Sequence, residues 1–383
     1  MPKIAVPITP AVLDWAVSES GFTLPQLALE AGVELQDLTD WLEARALPGV
    51  GEARALAGAL RRPVAALLLP APPRREQPDV RLRYAPGVEG RSLSPMERRQ
   101  LRRASRLQRL LVSLAGEMHE PPAALPGVAP HTDATQAARL VRQALGVSTE
   151  DQFRWKSPSA AFDGWRAAVE QLGVAVFLFR LGPENCRGFS VWHESVPVVA
   201  INTAWNDQAR TFTLLHEVGH LVARTNSACA SGDPAAGERE WDPAERWCES
   251  FAAAVLMAED AVREIVAARL GPGTRKVLDI AQVRRVAAPF QASLRATVLR
   301  LIELDLAPWS LYHELTVASD AKRPGGRATG GRDRQDIQED SLGWRATNLV
   351  RRAVDASVVT RAEALTYLDV PDSALDQMGS RSS

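Results

Sequence analysis

Two histidines four residues apart, His216 and His220, flank Glu217, Val218 and Gly219 in the apolar run TFTLLHEVGHLVA. No other feature constrains the chain as tightly. On a helix, residues four apart share one face, so both imidazoles can point at a single ion. Neutral imidazole suits zinc at about 2.0 to 2.1 Å, and Glu217, next to the first ligand, can reach a water at the ion and act as general base. Phe212, Leu214, Leu215, Leu221 and Val222 surround the motif, which makes the helix a partly buried element rather than a tail. Gly219 weakens a helix by about 1 kcal/mol against Ala, a cost that makes sense where backbone or substrate must come close.

A catalytic zinc takes three protein ligands and keeps a position open, so a third donor has to come from elsewhere. Asp242-Pro243-Ala244-Glu245 opens the next expected helix, with Glu245 25 residues after His220 and Glu249 one turn further on. One reading makes Glu245 the ligand, with Glu249 accepting a hydrogen bond from a ligand histidine. The other makes Asp242 an N-cap and Glu245 its partner in a capping box, which explains both residues without a metal. Cys248 reads as a small buried hydrophobe rather than a fourth ligand, because a fourth ligand closes the site. Cys229, in the loop after the motif, is a remoter donor that oxidation could control. His193 and Arg210 are candidates to contact substrate or stabilise an oxyanion, and each reads equally as a plain surface or structural residue.

The rest of the chain bounds these readings. Its 383 residues, 46% hydrophobic and 24% charged, exclude a disordered protein, and no apolar run is long enough for a membrane-spanning helix. Three cysteines without a CxxC spacing and an N-terminus without a secretory signal lead us to expect a cytoplasmic protein. A net charge of -1 exerts no global pull on nucleic acid. Residues 1–73 read as a small all-helical module with breaks at Gly21, Gly32 and Pro48-Gly49. Residues 74–130 read as an Arg-rich linker and helix, with eleven arginines and four acids between Arg74 and Arg109. That run reads either as a solvated helix packed on the next domain or as a source of phosphate contacts. Residues 131–260 form the central domain, with three short β-rich runs near 174–179, 188–192 and 197–201 ahead of the histidine helix. Residues 261–383 read as helical around a flexible connection at 320–341.

The stretch VVAINTAWNDQARTFTLLHEVGHLV followed by ERWCESFAAAVLM resembles the ImmA/IrrE family of metallo-endopeptidases over about residues 164–257. The resemblance implies an α+β, mostly α chain with a zincin-like domain and a small three-stranded sheet. It implies zinc held by His216, His220 and Glu245, with Glu217 as catalytic base. Glu249 departs from the Asn or Asp usual in the family, and Ala258 from its Pro. The family's substrates imply that the chain cleaves a repressor or antitoxin-like regulator and so switches on stress, phage or mobile-element genes. Residues 21–73 are similar to the helix-turn-helix of XRE-type regulators, which brings in DNA through residues 1–110 and a homodimer as expected partners, with no membrane. Against DNA, the segment 34–47 around the groove-reading helix Leu35 to Glu43 carries Glu34, Asp37, Asp40 and Glu43 with only Arg45, where phosphate contact demands Lys or Arg. A DNA-binding regulator or antitoxin with a structural zinc site is the alternative to the peptidase.

Overall fold

The structure is a computed structural model that describes residues 4–73, 93–129, 132–224, 227–229, 243–315 and 334–368. The described residues form two compact units, one of residues 4–73 with 93–103, the other from residue 104 onward.

The first unit is helical throughout. Its helices are Pro10–Ser20, Leu24–Ala31, Leu35–Leu42, Val50–Ala59 and the short Val64–Leu67, joined by the start of Pro95–Glu117. Local signals set the boundaries. Gly21 and Gly32 close the first two helices in the left-handed region, and Thr23 and Gln26 form a reciprocal capping box. The third helix stops at Leu42 because Ala44 turns left-handed and the Asp40 carbonyl accepts from Arg45. The fourth begins at Val50, where Glu52 accepts from the Gly49 amide and sets the start. Leu13, Leu27, Leu38, Leu56 and Leu60 form the buried centre of this unit.

The second unit opens with helices Ala134–Leu145, Thr149–Arg154 and Pro158–Gln171, followed by β1 (Ala175–Phe179), β2 (Gly188–Val191) and β3 (Val198–Asn202). The motif helix Asp207–Val222 comes next, then β4 (Ser227–Cys229) and helix Pro243–Leu256. The sheet order is β1-β3-β2-β4, with β1 parallel to β3 and the other pairs antiparallel. The three expected strands are therefore present, and a fourth is added at the edge. Ser-Ala-Cys has neither the length nor the β-branched alternation that betrays a strand, so pairing with β2 alone makes it one. Burial at all but one position of β1 to β3 means that both faces of the sheet are covered.

Helices Glu259–Leu270, Ile280–Phe290, Leu294–Glu303, Ser310–His313, Arg334–Asp355 and Arg361–Leu368 complete the unit. Of the flexible connection expected at 320–341, residues 334–341 are helical: RQDIQEDS is made mostly of helix-tolerant polar residues and extends the helix that follows. The remainder of that segment lies outside the described residues, as do the 74–92 linker and the chain beyond residue 368. Gly343 kinks this long helix at φ +79°, and Trp344 restarts it by donating its amide to the buried Glu170 carboxylate. No described helix is long and apolar enough to cross a membrane.

Candidate metal centre

The motif helix is capped by Asn206, whose side-chain oxygen accepts from the Ala209 amide. From Thr213 to Val222 every residue is buried. The helix thus carries its two histidines inside the unit, with His216 5% exposed and His220 1%. Their Nε2 atoms lie 3.2 Å apart.

Helix Pro243–Leu256 packs along this helix and brings Glu245 to both rings. Its Oε2 is 3.2 Å from His216 Nε2 and its Oε1 is 3.2 Å from His220 Nε2. Donors bound at 2.0 to 2.1 Å around a tetrahedral ion sit about 3.3 Å from one another, so two imidazole nitrogens and a carboxylate at these spacings fit a zinc-type centre. Glu249 Oε1 lies 3.8 Å from His216 Nδ1, on the far side of the ring from Glu245. The pair of sequence readings for Glu245 is thereby narrowed by position: whatever capping Asp242 performs lies outside the described residues, and the Glu245 carboxylate faces the histidines.

Two glycines make the approach possible. A Cβ on Gly219 would stand 3.0 Å from the Phe251 ring and 3.3 Å from Cys248 Sγ, so the motif helix and its partner touch backbone to side chain at this point. A Cβ on Gly188 would lie 2.7 Å from Thr213 and 2.9 Å from the Ala200 carbonyl, and 3.4 Å from Cγ of Glu217. Bare backbone at Gly188 therefore lets β2 lie against the fully buried Glu217.

The far end of helix Pro243–Leu256 is held by three buried or half-buried side chains from three other helices. Arg142 donates to the Val255 carbonyl at 2.6 Å, Gln152 to Leu256 at 2.9 Å and Arg300 to Met257 at 3.0 Å. These are carbonyls that a helix C-terminus leaves without intrahelical partners, and the cations also complement its dipole. Burial pulls the Arg142 pKa down to about 10, still far above neutrality. Near the start of the same helix, Trp247 Nε1 donates to the Thr132 carbonyl at 2.7 Å. Sequence reading missed all of these anchors. An arginine destined for a helix end is indistinguishable from a surface arginine until the tertiary neighbour is known.

Electrostatics follow from the same distances. Burial opposes a charged His216, but its hydrogen bond to Glu245 and the nearby Glu249 outweigh it and push its pKa up to about 9. Burial likewise opposes a charged Glu245, and the two histidines overcome it and hold that carboxyl below the usual range. Cys248 is 1% exposed, and burial pushes its thiol well up. Its sulfur still lies within 4.8 Å of donor nitrogens of both histidines. His216, His220 and Cys248 are thus a second geometrically possible donor group.

The two remaining candidates sit elsewhere. Arg210 pairs with Asp207 at 2.9 Å and donates to the Thr203 carbonyl at 2.7 Å, so its guanidinium ties down the first turn of the motif helix. His193, in the turn after β2, accepts from the Ser195 amide through Nδ1. Their hydrogen bonds among the described residues go to Ser195, Asp207 and Thr203 rather than to the His216–His220–Glu245 group. The side chain of Cys229 lies outside the described residues.

Residues 169–301 match the family model of the IrrE N-terminal-like domain, a peptidase family. The chain is also similar to the radiation response metalloprotease IrrE of Deinococcus radiodurans, at 34% identity over 93 residues. That stretch spans 24% of this chain and 28% of the relative. The matched segment runs from the sheet through both helices that carry the donors, and over that domain the chain is similar to metallopeptidases of the IrrE type.

Proposed function

We propose that the chain is a cytoplasmic zinc-dependent endopeptidase that acts as a regulator by cutting another protein, a repressor or antitoxin-like factor whose loss switches on stress, phage or mobile-element genes. The observation that carries this reading is the convergence of His216, His220 and Glu245 at 3.2 Å spacings beside the buried Glu217. The radiation response named for the relative supports a stress setting.

In this reading His216, His220 and Glu245 hold the ion. Zinc, when bound, polarises a peptide carbonyl and makes water acidic near neutral pH. Glu217 accepts the water's proton on a carboxylate oxygen and passes it to the leaving amine. Burial keeps that carboxylate away from bulk water, and bare backbone at Gly188 leaves room for it beside β2. Glu249 steadies the His216 ring from the Nδ1 side.

The test compares wild type with Glu217→Gln in the native host, under normal and DNA-damaging conditions, by mapping protein N-termini across the proteome. The expected result is a new terminus that requires Glu217, which names the substrate as well. Identical termini under every condition, with both proteins folded and zinc-loaded, would refute the peptidase reading.

A further inference from the structure

Cys248 takes no part in the proposed reaction, yet its sulfur stands at the metal centre. Donor atoms of His216, His220 and Cys248 all lie within 4.8 Å of one another. The thiol reaches the motif helix because Gly219 has no side chain: a Cβ there would stand 3.3 Å from Sγ. Gly219 lies between the two histidines in sequence, so the sulfur rests on the turn that carries both rings. All three side chains are buried, His216 at 5% exposure and His220 and Cys248 at 1%.

Two donor sets therefore share one pair of histidines. Glu245 completes the first with oxygen, at 3.2 Å from each ring. Cys248 completes the second with sulfur. The sets differ in softness: carboxylate oxygen suits hard and borderline divalent ions, whereas thiolate selects soft ones such as copper(I). They differ in shape too. A three-coordinate ion with bonds of about 2.0 Å to nitrogen and about 2.3 Å to sulfur holds its donors about 3.5 to 3.8 Å apart. The ring nitrogens already stand 3.2 Å apart. A sulfur displacement of no more than about 1 Å, within reach of so short a side chain, supplies the rest.

We infer that His216, His220 and Cys248 form a second metal site, for a soft thiophilic ion of the copper(I) class, and that filling it expels zinc and silences the centre. The inference rests on the reading of the two histidines as zinc ligands. Copper(I) takes the place of the thiol proton: a copper–sulfur bond forms, the S–H bond breaks and the proton goes to water, with no change of oxidation state. Both ions need the same ring nitrogens, so each excludes the other. At equal distance a monovalent ion attracts a carbonyl oxygen about half as strongly as a divalent one, and the copper-filled centre loses the polarisation that hydrolysis requires.

The test titrates the full chain with copper(I) under argon, in competition with a copper(I) chelator, and records copper-edge X-ray absorption of the loaded protein. The expected shell holds nitrogen and one sulfur, and each copper bound releases one zinc. Cys248→Ser should lose the sulfur and bind copper(I) more than about 100-fold more weakly, beyond what an outer partner contributes, with its zinc affinity unchanged. Cys248→Ala should behave in the same way. Glu245→Gln should do the reverse, losing zinc while keeping its affinity for copper(I). Three results would overturn the inference: a wild-type copper shell without sulfur, a sulfur that survives in both Cys248 variants and so comes from Cys186 or Cys229, or equal losses of copper and zinc in Glu245→Gln. Failure of the wild type to bind zinc would count against the peptidase reading instead, and zinc analysis before copper is added reads it separately.

Discussion

The Asp207–Val222 helix and the arginine cluster of the first unit, Arg61, Arg62, Arg98, Arg99 and Arg102, concentrate charge in opposite ways. In the motif helix, opposite charges are matched and buried: Glu245 lies 3.2 Å from each of two histidines, and each partner stabilises the charged form of the other. In the cluster, like charges stand together, and burial followed by neighbouring arginines lowers the pKa of Arg99 and Arg102. A matched group persists without an external partner, and the spacing of its donors also fits a cation. The cluster leans on backbone: Arg98 donates to the Ser18 carbonyl and Arg102 to the Glu19 carbonyl, at the negative end of helix Pro10–Ser20. The difference separates a centre whose side chains neutralise one another from a cluster that a helix end holds in place.

The sharpest way to break this contrast is to remove the group proposed as general base. Glu217→Gln should lower cleavage by about 10^3-fold, within the 10^2 to 10^4 range of a lost general base, while metal analysis still finds zinc. Loss of zinc in that variant would make Glu217 part of the donor set instead. Glu245→Gln removes a donor and should weaken zinc binding by more than about 100-fold, beyond what an outer partner contributes, whereas Glu249→Gln should cost only about 10-fold. Competition with a zinc chelator measures both, and equal losses would erase the distinction between ligand and outer partner.

The matched charges also predict how the metal-free protein responds to pH. His216 has a pKa raised from its ordinary 6.5 to about 9, so its contribution to stability is whole below about pH 6.5 and is lost as pH rises through about 9. Glu245 is shifted down, so its contribution is whole above its ordinary carboxyl range and fades on acidification. Thermal unfolding of the chelator-treated chain should therefore show a melting temperature that declines from pH 6.5 to 9.5. Zinc should abolish the decline, since a metal-bound imidazole no longer titrates, and so should Glu245→Gln. A flat profile in the metal-free wild type would show that the pair is not formed.

The smallest expected effect lies furthest from the site. Arg142→Leu leaves the Val255 carbonyl buried without its donor and should destabilise the second unit by about 2 kcal/mol, read by denaturant unfolding. Because that carbonyl sits at the end of the helix that carries Glu245, zinc affinity should fall with it. Unchanged stability would mean that packing alone positions this helix.

The parts of this molecule that could be read before its structure are those encoded locally. The spacing of His216 and His220 fixes a shared helix face, and Gly21, Gly32 and Asn206 mark helix ends by their own chemistry. The position of Glu245 was only half legible, because a glutamate in a first helical turn can cap its own helix or face a neighbouring one until that neighbour is in place. What escaped depends on partners distant in sequence. β4 exists only as an addition to β2, Arg142 and Arg300 become helix caps only by folding, and Gly188 matters because Thr213 and Glu217 lie behind it. The arginine cluster joins Arg61 and Arg62 to a helix some forty residues later, a proximity the Arg-rich run alone does not announce.

The central claim is that His216, His220 and Glu245, with no sulfur, surround the ion and leave a position open. X-ray absorption at the zinc edge of the full, zinc-loaded chain tests it directly, because zinc–sulfur bonds near 2.3 Å are resolved from nitrogen and oxygen bonds near 2.0 to 2.1 Å. The account predicts a nitrogen and oxygen shell alone, unchanged in Cys248→Ala. A sulfur shell that disappears in Cys248→Ala would contradict it, placing the thiol on the metal and making the centre a closed, structural one.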